Sequence, residues 1–253
     1  MKFSANLGFL WTDRSLPDAI RAAKAAGFDA VECHWPYETP PEDVKAALDE
    51  TGLKMLGLNT SRGNVAGGEN GLSALPGREL EARAAIDQSI SYAVAIDASA
   101  IHVMAGFATG DAARATFVDN LRYAASQAAE HGLIILIEPL NKFDAPGYHF
   151  HTTAEAEEII ASVGAENLRL MFDCYHVGRM GEPLADRLTQ TWPIIGHIQF
   201  ASVPDRGTPD HGDVDYNAVF AQIAKGGWDQ PRGAEYKPTG PTDASLEWLA
   251  ARR

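Results

Sequence analysis

The stretch Leu133-Ile134-Ile135-Leu136-Ile137-Glu138-Pro139-Leu140-Asn141 decides the fold of this chain. Five large aliphatic residues form an unbroken run, which follows a turn signal at His131-Gly132 and ends before Pro139. A short apolar run without polar alternation is typical of a strand that is buried on both faces of a parallel sheet. Glu138 then lies at the carboxyl end of that strand, where a carboxylate is costly to bury unless a cation meets it. For this strand alone, a glutamate that emerges into solvent is the alternative.

Strand and helix patterns alternate on both sides of this run. Further strands are predicted at 2–7, 30–33, 53–59, 100–104, 168–173, 194–200 and 233–236. Helices are predicted at 15–27, 42–51, 79–96, 111–130, 153–163, 182–191, 216–225 and 242–251, and a long glycine-rich loop at 60–78. Eight strands that alternate with eight helices predict an α/β protein, a (β/α)8 TIM barrel formed by residues 1–253 as a single domain. A doubly wound sheet competes, but no glycine fingerprint follows the first strand.

Composition narrows the classes of function. The chain has 253 residues, and 45% of them are hydrophobic, without a run of eighteen apolar residues, so no membrane span is expected. The formal net charge of −13 repels a phosphate backbone, and nucleic acid is not an expected partner. The N-terminus lacks a leader-like apolar segment, which predicts a cytoplasmic protein. The two cysteines, Cys33 and Cys174, are too few for a disulfide framework or a thiolate metal site.

Four successive strands carry an oxygen ligand near the carboxyl end. These residues are Glu138, Asp173, Gln199 and Glu235. Neighbouring strands lie about 4.8 Å apart, so inward side chains on four adjacent strands can converge on one point. Three carboxylates and an amide are hard donors that suit one divalent cation, Mg²⁺ or Mn²⁺. Without a cation the three carboxylates would repel one another, so the pattern predicts a metal site.

Residues beside these ligands are candidates for substrate binding. Period-two alternation places His102 near the ligand ring and Lys237 on the same side as Glu235. His176 follows Asp173 by three residues, close enough to overhang the site. Arg206 lies in the loop after the seventh strand, where a guanidinium can bind a substrate carboxylate. For each of them a packed or solvated side chain is the alternative, and His149 and His151 are expected to have lid or packing roles.

The strand ends resemble those of the hydroxypyruvate isomerase family, within the xylose-isomerase-like barrels. The motifs that carry the resemblance are Ile137-Glu138-Pro139-Leu140-Asn141, Phe172-Asp173-Cys174-Tyr175-His176, Gly196-His197-Ile198-Gln199 and Gly233-Ala234-Glu235-Tyr236-Lys237-Pro238. Ala5-Asn6-Leu7 and Ile101-His102-Val103-Met104-Ala105-Gly106 extend it over nearly the whole chain. Related ketose 3-epimerases carry histidine at the position of Gln199, so this departure favours the hydroxypyruvate branch.

The resemblance implies a metal-dependent isomerase of carbohydrate metabolism. Its reaction would interconvert 3-hydroxypyruvate and tartronate semialdehyde by proton transfer through an enediolate. Glu138, Asp173, Gln199 and Glu235 would hold one cation, and Glu138 and Glu235 would also be the acid/base pair. A homo-oligomer is possible. The alternatives are an isomerase or epimerase of a longer substrate, such as a four-carbon 2-oxo acid or a ketose, a metal-dependent phosphodiesterase, and a barrel without chemistry.

Overall fold

The strands of the computed structural model, which describes residues 1–252, form one eight-stranded parallel sheet. They are β1 Phe3–Asn6, β2 Ala30–Glu32, β3 Leu58–Asn59, β4 Ala100–His102, β5 Ile134–Ile137, β6 Leu168–Asp173, β7 Ile195–Phe200 and β8 Arg232–Ala234. The order in the sheet is β2-β1-β8-β7-β6-β5-β4-β3, so the first and last strands are neighbours, as in a barrel. The predicted α/β barrel is confirmed. The one-domain organisation stays a prediction, and its last residue, Arg253, lies outside the described residues.

The two strands at the ends of this order, β2 and β3, are connected by single hydrogen bonds. The Val31 N–H donates to the Lys54 carbonyl at 3.0 Å, and the Leu56 N–H donates to the Val31 carbonyl at 2.8 Å. The strand predicted over 53–59 is regular only at Leu58–Asn59, because residues 54–57 make these isolated contacts instead of a ladder.

Helices cover the outside of the sheet. They are α1 Leu16–Ala26, α2 Pro41–Thr51, α3 Glu79–Ile96, α4 Asp111–Ala129, α5 Thr153–Val163, α6 Cys174–Arg179, α7 Leu184–Thr191, α8 Tyr216–Lys225 and α9 Glu247–Ala250. Local sequence signals set their ends. The Ser15 hydroxyl caps α1 by accepting from the Asp18 N–H, and Gly27 ends it with a φ of 95°. A capping box of Thr152 and Glu155 begins α5.

Two helical segments differ from the prediction. The chain enters α6 directly from β6, where no helix is predicted from the sequence, because Asp173 caps the helix by accepting from the Tyr175 N–H at 2.8 Å. The helix predicted over 242–251 is broken into a 3₁₀ turn, Thr242–Ser245, and the short α9. Within residues 1–252, no helix is long and apolar enough to span a bilayer.

Alternation along the strands divides the core into two parts. Outward side chains such as Ile135 and Phe172 are fully buried beneath the helices. Inside the barrel a small cluster of Ala100, Leu136 and Met171 forms its own apolar layer. The inward residues at the carboxyl ends are polar, so the change from apolar to polar side chains occurs within the barrel at the edge where the site lies.

Candidate active site

The four predicted ligands lie together at the carboxyl edge of the barrel. Glu138 follows β5, Asp173 ends β6, Gln199 lies one residue before the end of β7, and Glu235 follows β8. Strand register aligns Asp173 with Gln199 and Gln199 with Gly233, two residues before Glu235, so the side chains come from adjacent strands near their carboxyl ends. All four are buried, with exposed fractions of 5%, 1%, 3% and 6% in chain order.

Several oxygen atoms in this group have no hydrogen-bond partner. Glu138 Oε1, Asp173 Oδ2 and Gln199 Oε1 are buried and accept no hydrogen bond from any residue in 1–252. Buried polar atoms are nearly always satisfied in folded proteins, so three such oxygens on neighbouring strands are suited to bind a positively charged group. Donor atoms of Glu138, Asp173 and His176 lie within 4.8 Å of one another, a spacing compatible with a shared metal ion.

His176 contributes a donor to this group. The Asn141 backbone N–H donates to His176 Nδ1 at 3.0 Å, and burial lowers the pKa of His176 to about 3, so the ring is neutral. A neutral imidazole that accepts at Nδ1 carries its proton on Nε2. That N–H lies 3.8 Å from Glu138 Oε1 and 3.7 Å from Asp173 Oδ2. The ring of His176 therefore offers a hydrogen-bond donor. The neutral candidate ligand beside the two carboxyl groups is the amide oxygen of Gln199.

Glu235 has a different environment from the other two acids. Its Oε1 accepts from Asn6 Nδ2 and faces His34 Nε2, both at 3.1 Å. Its Oε2 accepts from the Arg206 guanidinium at 2.5 Å. Arg206 also lies 3.8 Å from Asp173 Oδ2, so one guanidinium compensates part of the charge on two acids.

These surroundings shift the carboxyl pKa values in opposite directions. Burial, together with the charges of Glu235 and Asp173, raises the pKa of Glu138. Burial and the charge of Glu235 raise the pKa of Asp173 to about 8. Burial acts on Glu235 as well, but Arg206 and His34 outweigh it and lower the pKa of that carboxyl. Two of the three acids thus resist ionisation without a cation, and the third is held as a carboxylate.

The remaining substrate-binding candidates surround the same opening. His102 is buried and lies 3.7 Å from Glu138 Oε2, and neither of its ring nitrogens has a hydrogen-bond partner among residues 1–252. The Arg206 guanidinium lies between the rings of Phe9 and Tyr175, 4.8 Å from each centroid. Lys237 is exposed at the rim, and no ion pair to it occurs within residues 1–252.

A cavity of about 330 Å³ connects these groups. It is lined by Phe9, His34, Trp35, Asn59, Asn70, His102, Met104, Glu138, Leu140, Asp144, Ala145, His176, Arg206, Glu235 and Lys237. A volume of this size is within the range of small-molecule sites. All four predicted substrate-binding residues therefore border one opening together with Glu138 and Glu235.

Two histidines and both cysteines lie apart from the cavity. The Ala108 carbonyl is hydrogen-bonded to His149 at 2.8 Å, and the Leu140 carbonyl is hydrogen-bonded to His151 at 2.6 Å, which is consistent with packing roles. Cys33 and Cys174 are buried free thiols.

Sequence reasoning missed the partners of the acids. Asn6 and His34 hold Glu235 from the ends of the first two strands, and Asn141 fixes His176. Inward alternation at β1 and β2 was the available signal, since a polar residue at the carboxyl end of each strand faces the same opening. Glu32, which bonds His197 within the barrel, was also missed.

Comparison with known proteins agrees with this geometry. A family model described as "Xylose isomerase-like TIM barrel" matches residues 20–252. The chain belongs to the xylose isomerase-like TIM barrel family. A 2-oxo-tetronate isomerase of Cupriavidus necator is 41% identical over 252 residues, which cover 98% of this chain and 97% of the relative. The hydroxypyruvate isomerase of Escherichia coli is 37% identical over 254 residues, covering 98% of each chain.

A solved structure supports the same placement. The crystal structure named "AP endonuclease, family 2", from Brucella melitensis, superposes with a TM-score of 0.96 at 35% identity, covering 100% of this chain and 99% of that one. The full-length relatives named as isomerases, and not the name of this crystal structure, support the conclusion that this family member is an isomerase, as the sequence predicts.

Proposed function

We propose that the protein is a metal-dependent isomerase that interconverts 3-hydroxypyruvate and 2-hydroxy-3-oxopropanoate. The observation that carries this proposal is the set of three buried, unpaired oxygens on Glu138, Asp173 and Gln199 beside the compensated carboxylate of Glu235. Two acids that flank one polar opening meet the minimum requirement for moving a proton between adjacent carbons.

The donor set fits a hard divalent cation, Mg²⁺ or Mn²⁺. Glu138, Asp173, Gln199 and Glu235 would hold it, and the orphaned oxygens of the first three are the argument for the fit. When bound, the cation would supply positive charge that stabilises the negative charge developing during the reaction. His176 is proposed as a hydrogen-bond donor to substrate oxygen, since its Nε2 carries the proton.

Glu138 and Glu235 are proposed as the acid/base pair. They follow β5 and β8, and two strands lie between them, so they approach a planar intermediate from different sides. One glutamate takes the proton from C3 of hydroxypyruvate, and the other returns a proton to C2. A second proton passes from the C3 oxygen to the C2 oxygen, which completes the exchange of hydroxyl and carbonyl.

Charge considerations favour Lys237 and Arg206 for the substrate carboxylate. Burial lowers the pKa of His102 to about 3, so this ring is neutral and suits a hydroxyl or carbonyl oxygen better. Arg206 already faces Glu235 and Asp173, whereas Lys237 brings an exposed cation to the rim. We therefore propose that the carboxylate end of the substrate lies toward Lys237.

A four-carbon substrate, 2-oxo-tetronate, is the second candidate. Relatives named 2-oxo-tetronate isomerase are 35% to 41% identical to this chain, and the Escherichia coli and human relatives named for hydroxypyruvate are 37% and 38% identical. Because these ranges overlap, identity does not choose between the substrates. A phosphodiesterase reading is disfavoured by the net charge of −13 and by the oxygen-rich donor set.

Turnover of both substrates by Mn²⁺-loaded protein in D₂O tests the proposal. Proton transfer predicts incorporation of solvent deuterium at the reacting carbon, observed by NMR, whereas a direct hydride shift predicts none. The higher kcat/KM identifies the preferred chain length. Absence of turnover with either substrate, or turnover without solvent deuterium, would contradict the proposed reaction or its mechanism, respectively.

A further inference from the structure

Besides the three acids of the candidate site, a further buried acid lies inside the barrel and is not used by the proposed reaction. Glu32 ends β2, is 4% exposed, and bonds His197 Nε2 with its Oε2 at 2.5 Å. Because β1 and β8 separate β2 from β7, this hydrogen bond crosses the barrel interior. The other oxygen of Glu32, Oε1, is buried and accepts no hydrogen bond in the described part of the chain. Burying a carboxylate costs free energy unless both oxygens are compensated, so the role of Glu32 Oε1 still needs an explanation.

Gly233 leaves the space that the crossing requires. A Cβ at this position would lie 2.1 Å from Glu32 Oε1 and 2.8 Å from Gln199 Cγ. Both distances are below the contact that real Cβ atoms make, so any side chain on residue 233 would displace the carboxylate or the amide chain. Glu32 Oε1 and the Gln199 side chain therefore adjoin the same vacant position on β8.

The side chain of Gln199 has no hydrogen-bond partner in the part of the chain that the structure describes. It is 3% exposed, and its Oε1 is buried without a hydrogen bond. A cavity of about 10 Å³ adjoins Glu32, His197 and Gln199, which is close to the volume that one water molecule occupies. A carboxylate only accepts hydrogen bonds, and the nitrogen of an amide only donates them. The two unpaired oxygens are both acceptors and cannot bond each other, but the amide nitrogen of Gln199 is a suitable donor for Glu32 Oε1.

We infer that Glu32, held by His197, is a positioning residue that fixes the orientation of the Gln199 amide. The carboxylate draws the amide NH₂ toward the barrel interior, directly or through one water, and so turns the carbonyl oxygen toward Asp173. The opposite orientation would present N–H groups to a cation and weaken its binding. Partners of metal ligands commonly act in this way, by orienting the ligand atom. The inference rests on the proposed metal site.

The test measures Mn²⁺ affinity by calorimetry without substrate. Wild type, Glu32→Gln, Gln199→Ala and the double variant form a cycle. Glu32→Gln is expected to weaken binding by about 10- to 100-fold, because the substituted amide no longer selects the NH₂ of its neighbour. In the Gln199→Ala background the same change is expected to have no further effect. A purely structural role of Glu32 would weaken binding in both backgrounds.

Two further variants supply a control and an independent test. Glu182→Gln changes a partly buried carboxylate that bonds Thr153, outside the barrel interior, and should leave Mn²⁺ affinity unchanged. Gly233→Ala retains the Glu32 charge but fills the vacant position, and should weaken Mn²⁺ binding as Glu32→Gln does. Melting temperatures in chelator show whether each variant is folded.

The outcomes separate this inference from the proposed function. Wild-type affinity in Glu32→Gln, equal losses in both backgrounds, or no Mn²⁺ binding by wild type would overturn the inference. Coupled Mn²⁺ binding in a protein that turns over neither hydroxypyruvate nor 2-oxo-tetronate would support the inference and refute the proposed function.

Discussion

Two chemically identical substitutions, Glu138→Gln and Glu235→Gln, are expected to change the stability of the chelated protein in opposite directions. Glu138 is 5% exposed, its Oε1 has no partner, and burial with two neighbouring acids raises its pKa. Glutamine has the same shape and no charge. Relief from burying a poorly compensated ionisable group should stabilise the chelated protein at pH 8 by about 1–3 kcal/mol.

Glu235→Gln removes a carboxylate in which both oxygens have polar partners. Asn6, His34 and Arg206 all bond or face it, so its loss leaves the Arg206 guanidinium, with a side chain only 12% exposed, without its main counter-charge. Removing one partner of a buried ion pair typically costs about 3–5 kcal/mol. In a chain of this size about 1 kcal/mol corresponds to about 2–4 °C of melting temperature, so both shifts are measurable.

The assay is thermal unfolding at pH 8 in EDTA and again with Mn²⁺. In EDTA, Glu138→Gln should melt a few degrees above wild type and Glu235→Gln well below it. With Mn²⁺, both variants should gain less than wild type, because each has lost a proposed ligand. Both should also lose turnover, by about 10²- to 10⁴-fold for a missing acid/base group. A fall in the EDTA melting temperature of Glu138→Gln would refute the reasoning that its carboxylate is uncompensated.

Three further predictions concern the same cavity. The chelated wild type should lose stability as pH rises from about 4 through about 8, since the folded state keeps the Asp173 proton that the unfolded chain releases, and Mn²⁺ should flatten this dependence in pH-resolved melting curves. A stability that instead rises over this range would place Asp173 in a compensated environment. His176→Gln should lower kcat while Mn²⁺ affinity stays near wild type by calorimetry, because Nε2 carries a proton; a large loss of affinity would make the ring a ligand. Lys237→Met should raise KM for hydroxypyruvate by about 10- to 100-fold, the equivalent of one charge-assisted hydrogen bond of about 1.5–3 kcal/mol, and an unchanged KM would place the carboxylate elsewhere.

The sequence predicts the barrel well where local pattern and tertiary environment agree. The strand at 133–137 is found at Ile134–Ile137, because an apolar run between a glycine turn and a proline has few other buried conformations. The third strand is the counter-example. Its apolar residues at 53–59 match a strand, but only Leu58–Asn59 pairs regularly, since the register with the neighbouring strand is decided by distant residues.

The positions of the proposed ligands at the carboxyl edge could be predicted from the sequence, but their hydrogen-bond partners could not. Placing Glu138 and Asp173 required only that parallel strands end at a common edge. Pairing Glu32 with His197 requires two residues 165 positions apart to meet across the barrel, and no local period encodes that contact. The early start of α6 was missed for a related reason. Asp173 is both the predicted ligand and the N-cap of that helix. Its position at a strand end is interpreted as a ligand position, and its second role as a cap is not recognised from the sequence.

The two functions of Asp173 connect the fold of this region to the proposed cation. One oxygen, Oδ1, accepts from the Tyr175 N–H, so the carboxyl group cannot rotate freely. The other oxygen, Oδ2, is one of the three buried oxygens without a hydrogen bond. The helix that Asp173 caps also carries His176, whose ring is fixed by Asn141. One turn of backbone therefore positions both the proposed ligand Asp173 and the hydrogen-bond donor His176. A change that loosens this turn should impair cation affinity and catalysis together, whereas a change at Lys237 should impair substrate binding alone.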